Sequence, residues 1–288
     1  MLKYRLIFGT LMVIVFSALV VIDDRFGWTL HTEGRDLLIR GNILLALLVL
    51  MAIPAQIEMA LLAKNVSCRL FPEITIQASV LLAASWYFAQ FSPNPNRFLS
   101  LYVLIITAFT VLILFLFQAR KLGPSGTIVN LGGNLLSILY LGFLSSFFLG
   151  IQIEYGYRQT LMFIFTVKSA DTGAYTFGRL FGKHKFSPRI SPKKTWEGFF
   201  GGILFGIIAA LGFALGFDIM NGLIAVVFGV VFAVVGQLAD LAESMLKRDA
   251  QTKDSSAHLP GFGGILDVID SPLGAAPVAY LFFLMVGR

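Results

Sequence analysis

The sequence predicts an all-α, polytopic integral membrane protein of about nine transmembrane helices with a cytosolic N-terminus. Three observations predict this fold class. First, 57% of the residues are hydrophobic and only 13% are charged, whereas soluble domains carry roughly 25% charge; the mean hydropathy is +0.82. Second, apolar stretches recur along the whole chain, each close to the ~20 residues that a helix needs to cross a ~30 Å hydrocarbon layer. Third, runs such as Ile43 to Ile53 are apolar on every side, whereas the strands of a membrane β-barrel alternate with a period of two over about ten residues. With no water to satisfy backbone groups inside the bilayer, helices are the option that remains.

The first span lies near residues 5–22, after Lys3 and Arg5. Basic residues also precede signal peptides, but the further spans behind this one favour its retention as a transmembrane helix. The second and third spans lie near 38–57 and 74–91, with Glu58 at the end of the second, and the fourth and fifth near 98–118 and 128–150. The sixth, near 158–177, holds Lys168 and Asp171. The seventh, eighth and ninth lie near 199–217, 220–246 and 269–287, with Asp240 and Glu243 in the eighth and Asp267 and Asp270 at the mouth of the ninth. Polarity therefore divides the chain. Residues 1–157 read as a five-helix membrane scaffold with a lipid-binding or oligomerisation surface, and residues 158–288 as a four-helix catalytic region with cytosolic loops at 178–198 and 247–268. No internal repeat stands out. Cys68 is the single cysteine, which excludes an internal disulfide and reads as a small core residue.

Charge sets the orientation. With the N-terminus in the cytosol, fifteen of the lysines and arginines fall on that side, from Lys3 to Lys253. Six fall on the other: Arg25, Arg35, Arg40, Arg97, Arg158 and Arg288. The positive-inside rule selects this arrangement. The net charge of +6 then concentrates on the cytosolic face, where it attracts anionic headgroups or phosphorylated solutes. Basic loops also orient helices in membrane proteins of every function, so the charge by itself names no ligand. No nucleic-acid partner is expected.

Ionisable groups at membrane depth cost several kcal/mol unless they are paired, hydrated or metal-bound, which makes each a candidate functional residue. Asp240, Glu243, Ser244 and Lys247 are spaced i, i+3, i+4, i+7 and share one helix face. Glu243 has two readings: it joins the chemistry, or it simply pairs with Lys247 one turn on. A glycine cluster follows at Pro260 to Gly264, and Gly261, Gly263 and Gly264 would let the backbone approach phosphate oxygens. Asp267 and Asp270 come next, one helical turn apart. Together they resemble a divalent-metal and phosphate site, and hard oxygen ligands suit magnesium. An acidic helix start explains one of these aspartates better than two. Further upstream, SADTGAY at Ser169 to Tyr175 places Asp171 before a loop, Gly178 to Gly198, that carries six basic residues among glycines and prolines. Such a loop suits polyphosphate. His184 and His258 lack partners at metal-ligand spacing and read as surface residues.

These residues resemble the phosphatidate cytidylyltransferases, or CDP-diacylglycerol synthases. The family signature runs from a serine through Lys-Arg, then Lys-Asp, a glycine cluster and an Asp-x-x-Asp end. It stands here as SMLKRDAQTKDSSAHLPGFGGILDVID, Ser244 to Asp270, with matching spacing, and SPKKTWEG from Ser191 to Gly198 is similar as well. The likeness covers 165–288 in sequence and the first half in hydropathy. Two positions depart, Phe262 where the family often has histidine and Val268 where it often has arginine.

The resemblance implies that a phosphatidate oxygen attacks the α-phosphorus of CTP, giving CDP-diacylglycerol and pyrophosphate for phospholipid synthesis. It implies magnesium on Asp240, Asp267 and Asp270, with Asp171 a further candidate. It also implies a phosphate clamp of Lys247, Arg248 and Lys253, CTP or lipid-phosphate contacts from Lys193 and Lys194, and a surface shaped by Ser244, Gly261, Gly263 and Gly264. The implied location is the cell (inner) membrane, with the active site facing the cytosol, membrane lipids as partners and room for a homodimer. Rival readings are a cytidylyltransferase for ether lipids, a CTP-dependent lipid kinase and a secondary ion-coupled transporter, whose acids would lie nearer the bilayer centre. The orientation has a direct test. A cysteine at Ser187, in a chain lacking Cys68, should react with an impermeant thiol reagent from the cytosolic side only, and labelling in sealed cells would overturn the assignment.

Overall fold

The computed structural model describes residues 2–32, 35–253, 255–256 and 263–286, apart from the side chains at 2–10, 30, 32, 35 and 37. The elements run α1 (Leu2–Arg25), β1 (Trp28–Thr32), β2 (Arg35–Ile39), α2 (Asn42–Asn65), α3 (Pro72–Ala83), α4 (Ser85–Ala89), α5 (Pro95–Lys121) and α6 (Thr127–Ile138). A π-helical turn (Leu139–Phe143) then leads into α7 (Leu144–Tyr155), α8 (Tyr157–Phe181), β3 (Lys185–Ser187), β4 (Ser191–Thr195), α9 (Trp196–Phe217), α10 (Gly222–Asp249) and α11 (Ile265–Val286). Helix starts follow local chemistry. Pro72 and Pro95 stand in the first turns of α3 and α5, where a missing N–H costs nothing. Thr195 caps α9 by accepting from the Gly198 amide, and Asn221 caps α10 by accepting from that of Ile224.

The expected spans fall largely on helices, although the second, expected from residue 38, starts at Asn42 because 38–39 belong to β2. Six helical stretches among the described residues are long and apolar enough to cross a membrane. They are α2, α5, the continuous run 127–155, α9, α10 and α11. The third expected span breaks at Ala84, where ψ is 0°, leaving α3 and the short α4. The sixth, α8, carries Arg158, Lys168, Asp171 and Arg179 along its length. The chain is also not helical throughout. β1 pairs antiparallel with β2, and β3 with β4, so the basic loop 178–198 is folded into a hairpin that shields its backbone groups.

The main core draws on both parts of the chain, with Met59 of α2, Leu149 of α7, Phe163 of α8, Phe232 of α10 and Leu266 and Phe283 of α11. A smaller core joins α3, α5 and α6 through Phe71, Leu82, Leu114 and Leu131. The most extensive helix contact is between α8 and α9. A Cβ on Gly173 would lie 2.5 Å from the Gly201 carbonyl oxygen, and one on Gly201 would lie 2.4 Å from Phe177 Cβ. Small residues let the backbones close up where hydrophobic association is weak. Gly173→Ala should therefore lower thermal stability in detergent by about 1–3 kcal/mol through overpacking. Gly212→Ala on α9, where an added Cβ meets nothing within 4 Å, should stay within about 0.5 kcal/mol of the parent.

Candidate active site

One end of the bundle gathers the C-terminal ends of α2, α8 and α10 and the N-terminal ends of α9 and α11. Asn65 at the end of α2 donates to the Ala250 carbonyl beyond α10 at 3.1 Å, and Lys194 of β4 reaches α10. Between these ends lies a cavity of about 560 Å³ lined by Lys168, Asp171, Arg179, Lys193, Lys194, Asp240, Lys247, Asp267 and Asp270, among others. That size and this mixture of charges suit a ligand with several phosphates.

The helical spacing of α10 and α11 brings carboxylates together at the floor. One oxygen each from Asp240, Glu243 and Asp270 lies within 4.8 Å of the others, although Glu243 and Asp270 are only 1% and 6% exposed. Three carboxylates at this separation, two of them buried, repel strongly unless cations intervene. Lys194 Nζ lies 2.8 Å from Asp240 Oδ2, Lys168 Nζ lies 3.4 Å from Asp171 Oδ2 and 3.9 Å from Asp270 Oδ1, and Lys247 is wedged between Glu243 and Asp267, 2.5 Å from Asp267 Oδ1. Glu243 Oε2 faces Lys247, while its buried Oε1 has no hydrogen-bond partner among the described residues. An orphaned carboxylate oxygen beside two further carboxylates is a donor set that fits a divalent cation.

Asp240, Asp267, Asp270, Asp171, Lys193, Lys194 and Lys247 thus share one cavity, and Ser244 Oγ, nearly buried, stands 3.4 Å from Asp240 Oδ1. Glu243 pairs with Lys247, as one of its two readings expects, and also stands in the acidic group. Asp267 is held apart from that group by donors: Lys247, the amides of Ser255 and Gly264 at 3.1 and 2.8 Å, and Ser255 Oγ at 2.8 Å. Arg248 turns away from the cavity, with Nε donating to the Ile190 carbonyl at 3.1 Å and a terminal nitrogen to that of Thr252 at 2.8 Å. Its guanidinium pins the β3–β4 turn to the end of α10. Lys253 is exposed and does not line the cavity. Gly263 adopts φ +90°, and a Cβ there would lie 2.6 Å from Asp267 Oδ2; the Gly264 amide serves Asp267. Gly261 and Phe262 lie outside the described residues.

Sequence reasoning missed the parts played by Lys168 and Glu58. Lys168 lies one turn before Asp171, which was a legible signal. Glu58 reaches the site through contacts some 200 residues away in sequence, and local spacing carries no trace of them.

The sequence model of the cytidylyltransferase family matches residues 3–286. Phosphatidate cytidylyltransferase of Bacillus subtilis (strain 168) is 32% identical over 288 residues, covering 98% of this chain and 97% of that protein. The proteins of the same name from Haemophilus influenzae and Brucella suis biovar 1 are 40% and 39% identical over 132 and 124 residues, or 44% and 43% of this chain. In both, the match spans 46% of the relative, so the chain spans about half the length of these two.

The carboxylate group can be tested without any reaction. The purified protein, titrated with manganese and followed by electron spin resonance, should show a bound ion. Asp240→Asn, Glu243→Gln and Asp270→Asn should each weaken binding by about tenfold or more. Unaltered binding in all three variants would remove the metal from this site.

Proposed function

Since the chain belongs to the cytidylyltransferase family, we propose that it transfers a cytidylyl group from CTP to phosphatidate, giving CDP-diacylglycerol and pyrophosphate. The observation that carries this reading is the cavity at the end of the bundle, with basic residues and Asp240 and Asp270 on its walls and buried Glu243 converging on those two carboxylates from behind. The rival transporter reading places its acids near the bilayer centre, whereas Asp240 and Asp270 share their cavity with Lys193, Lys194 and Arg179 beside the basic hairpin.

The chain's residues have an electrostatic task. The acceptor phosphate has a second pKa of roughly 6 and arrives ionised, so no strong base is needed. Its oxygen attacks the α-phosphorus, the bond to the β-phosphate oxygen breaks, and the electron pair leaves with pyrophosphate. Lys193, Lys194 and Lys168 meet the triphosphate as it enters, and Lys247 faces the charge that grows on the leaving group. Lys168, Lys194 and Lys247 are pre-set by their carboxylate partners, which spares reorganisation during the reaction. Magnesium, held by Asp240, Glu243 and Asp270 with Asp267 and Asp171 nearby, would neutralise the polyphosphate. Gly263 and Gly264 act through Asp267, while Arg248 acts through the hairpin. Nine helical spans with a cytosolic N-terminus would put this end at the cytosolic headgroup level of the cell membrane, within reach of soluble CTP and of a lipid whose chains stay in the bilayer. Exposed Trp196 at 44% and Phe200 at 63% at the start of α9 suit that interface.

Purified protein given labelled CTP, magnesium and phosphatidate should yield a lipid that carries cytidine, together with pyrophosphate. Asp240→Asn and Lys194→Ala should each lower kcat by about a hundredfold or more. A phosphorylated lipid without cytidine would replace this reading by a lipid kinase. Ether-lipid acids used in preference to phosphatidate would change the acceptor.

A further inference from the structure

Glu58 belongs to α2, in the half of the chain that holds none of the cavity's carboxylates, and it is 1% exposed. Among the described residues, its two oxygens lie within hydrogen-bond distance of four donors at and just before the start of α11. Oε1 accepts from Ser256 Oγ at 2.7 Å and the Ile265 amide at 3.0 Å, and Oε2 from Ser255 Oγ and the Leu266 amide, both at 3.0 Å. The negative charge also stands at the positive end of the α11 dipole. Ser255 is the link onward. Its Oγ, with a single proton to share, stands between Glu58 Oε2 and Asp267 Oδ2, 2.8 Å from the latter, and its amide donates to that same Asp267 oxygen. Asp267 then holds Lys247, which meets Glu243 of the acidic group. Gly264 shows how closely the pieces fit, because a Cβ there would lie 2.0 Å from Ser255 Oγ and 2.4 Å from Glu58 Oε2.

We infer that Glu58 is a positioning residue for the transfer centre: through Ser255 and Asp267 it fixes where the Lys247 ammonium stands in the cavity. The inference deepens the cytidylyltransferase reading and rests on it. Glu58→Gln keeps the shape but removes the charge and replaces one acceptor oxygen by an NH2 group, which confronts a backbone amide of α11 with another donor and turns a serine hydroxyl from donor to acceptor. The cost falls on geometry, and a displacement of an ångström at a reacting centre is enough to slow it severely.

The test compares the full-length protein with Glu58→Gln, Ser255→Ala, the double variant and the milder Ser256→Ala, in phosphatidate–detergent micelles. Glu58→Gln should lower kcat by about tenfold or more while KM for CTP stays within about twofold. The double variant should be no more than about twofold below the weaker single one, because both breaks lie on one chain of contacts. A readout independent of turnover is the rate at which a soluble amine-reactive ester modifies Lys247, followed by mass spectrometry. It should rise several-fold in Glu58→Gln and less in Ser256→Ala. If Glu58→Gln fails to fold, Ser256→Ala decides alone, with a smaller loss of kcat and a smaller rise in modification. A lower Tm with kcat and Lys247 reactivity unchanged would make Glu58 a structural cap and overturn the inference, as would losses that multiply in the double variant. An inactive parent whose Lys247 is still exposed by Glu58→Gln would overturn the reaction and keep the positioning.

Discussion

The Lys247 ammonium, wedged between Glu243 and Asp267, is the interaction on which the rest of this structure depends. Carboxylates taken out of water this deeply are tolerated only when their charge is answered locally. Lys247 answers two of them at once and ties α10 to α11 in doing so. Lys194 and Lys168 repeat the device from β4 and α8, so α8, β4, α10 and α11 each lend the cavity an acid, a counter-charge or both. The site and the closure of the bundle at this end are the same set of contacts.

Such an arrangement needs helices that approach closely and ends that do not fray. The α8–α9 contact meets the first need by removing side chains, with backbone against backbone at Gly173 and Gly201. Caps meet the second: Thr195 for α9, Asn221 for α10, and Glu58 from outside the helix for α11. The first five expected spans are therefore more than a platform. They supply a buried carboxylate that orders the start of α11, and Met59, one residue on, joins the main core.

Much of this was legible in the sequence, and the physical reason is periodicity. The spacing of Asp240, Glu243, Ser244 and Lys247 reports a helix face directly, and the structure puts that face beside the cavity. The apolar runs gave the helices, since the bilayer admits few alternatives. What spacing cannot report is a side chain's partner. Arg248 adjoins Lys247 in sequence but points to the carbonyls of Ile190 and Thr252, because neighbours on a helix lie about 100° apart. Nor does hydropathy register the break at Ala84 or the pairing of β1 with β2, for both turn on backbone angles in stretches of ordinary composition. Glu58 was visible as a polar exception at the end of a span; its partners lay beyond any local window.

At the edge of the bundle, α5 has 27 residues, about 40 Å at 1.5 Å per residue, and only 11% of its most apolar stretch is buried against the rest of the chain. Leu104, Phe109, Leu112 and Leu116 all face outward. Its apolar run from Phe98 to Phe117 spans about 30 Å, the thickness of an average hydrocarbon layer, so in a thinner bilayer it would lean and in a thicker one it would thin the lipid beside it. Its inner side holds Leu114 against Phe71 and Leu82 in the smaller core, and α3 in turn packs on the π turn through Ser79, against which Gly142 sits with no room for a Cβ. A lean of α5 would bear first on that series of contacts. Acyl-chain length in the surrounding lipid would then be a mechanical variable of the protein, set by the product pool of the very metabolism it is proposed to feed.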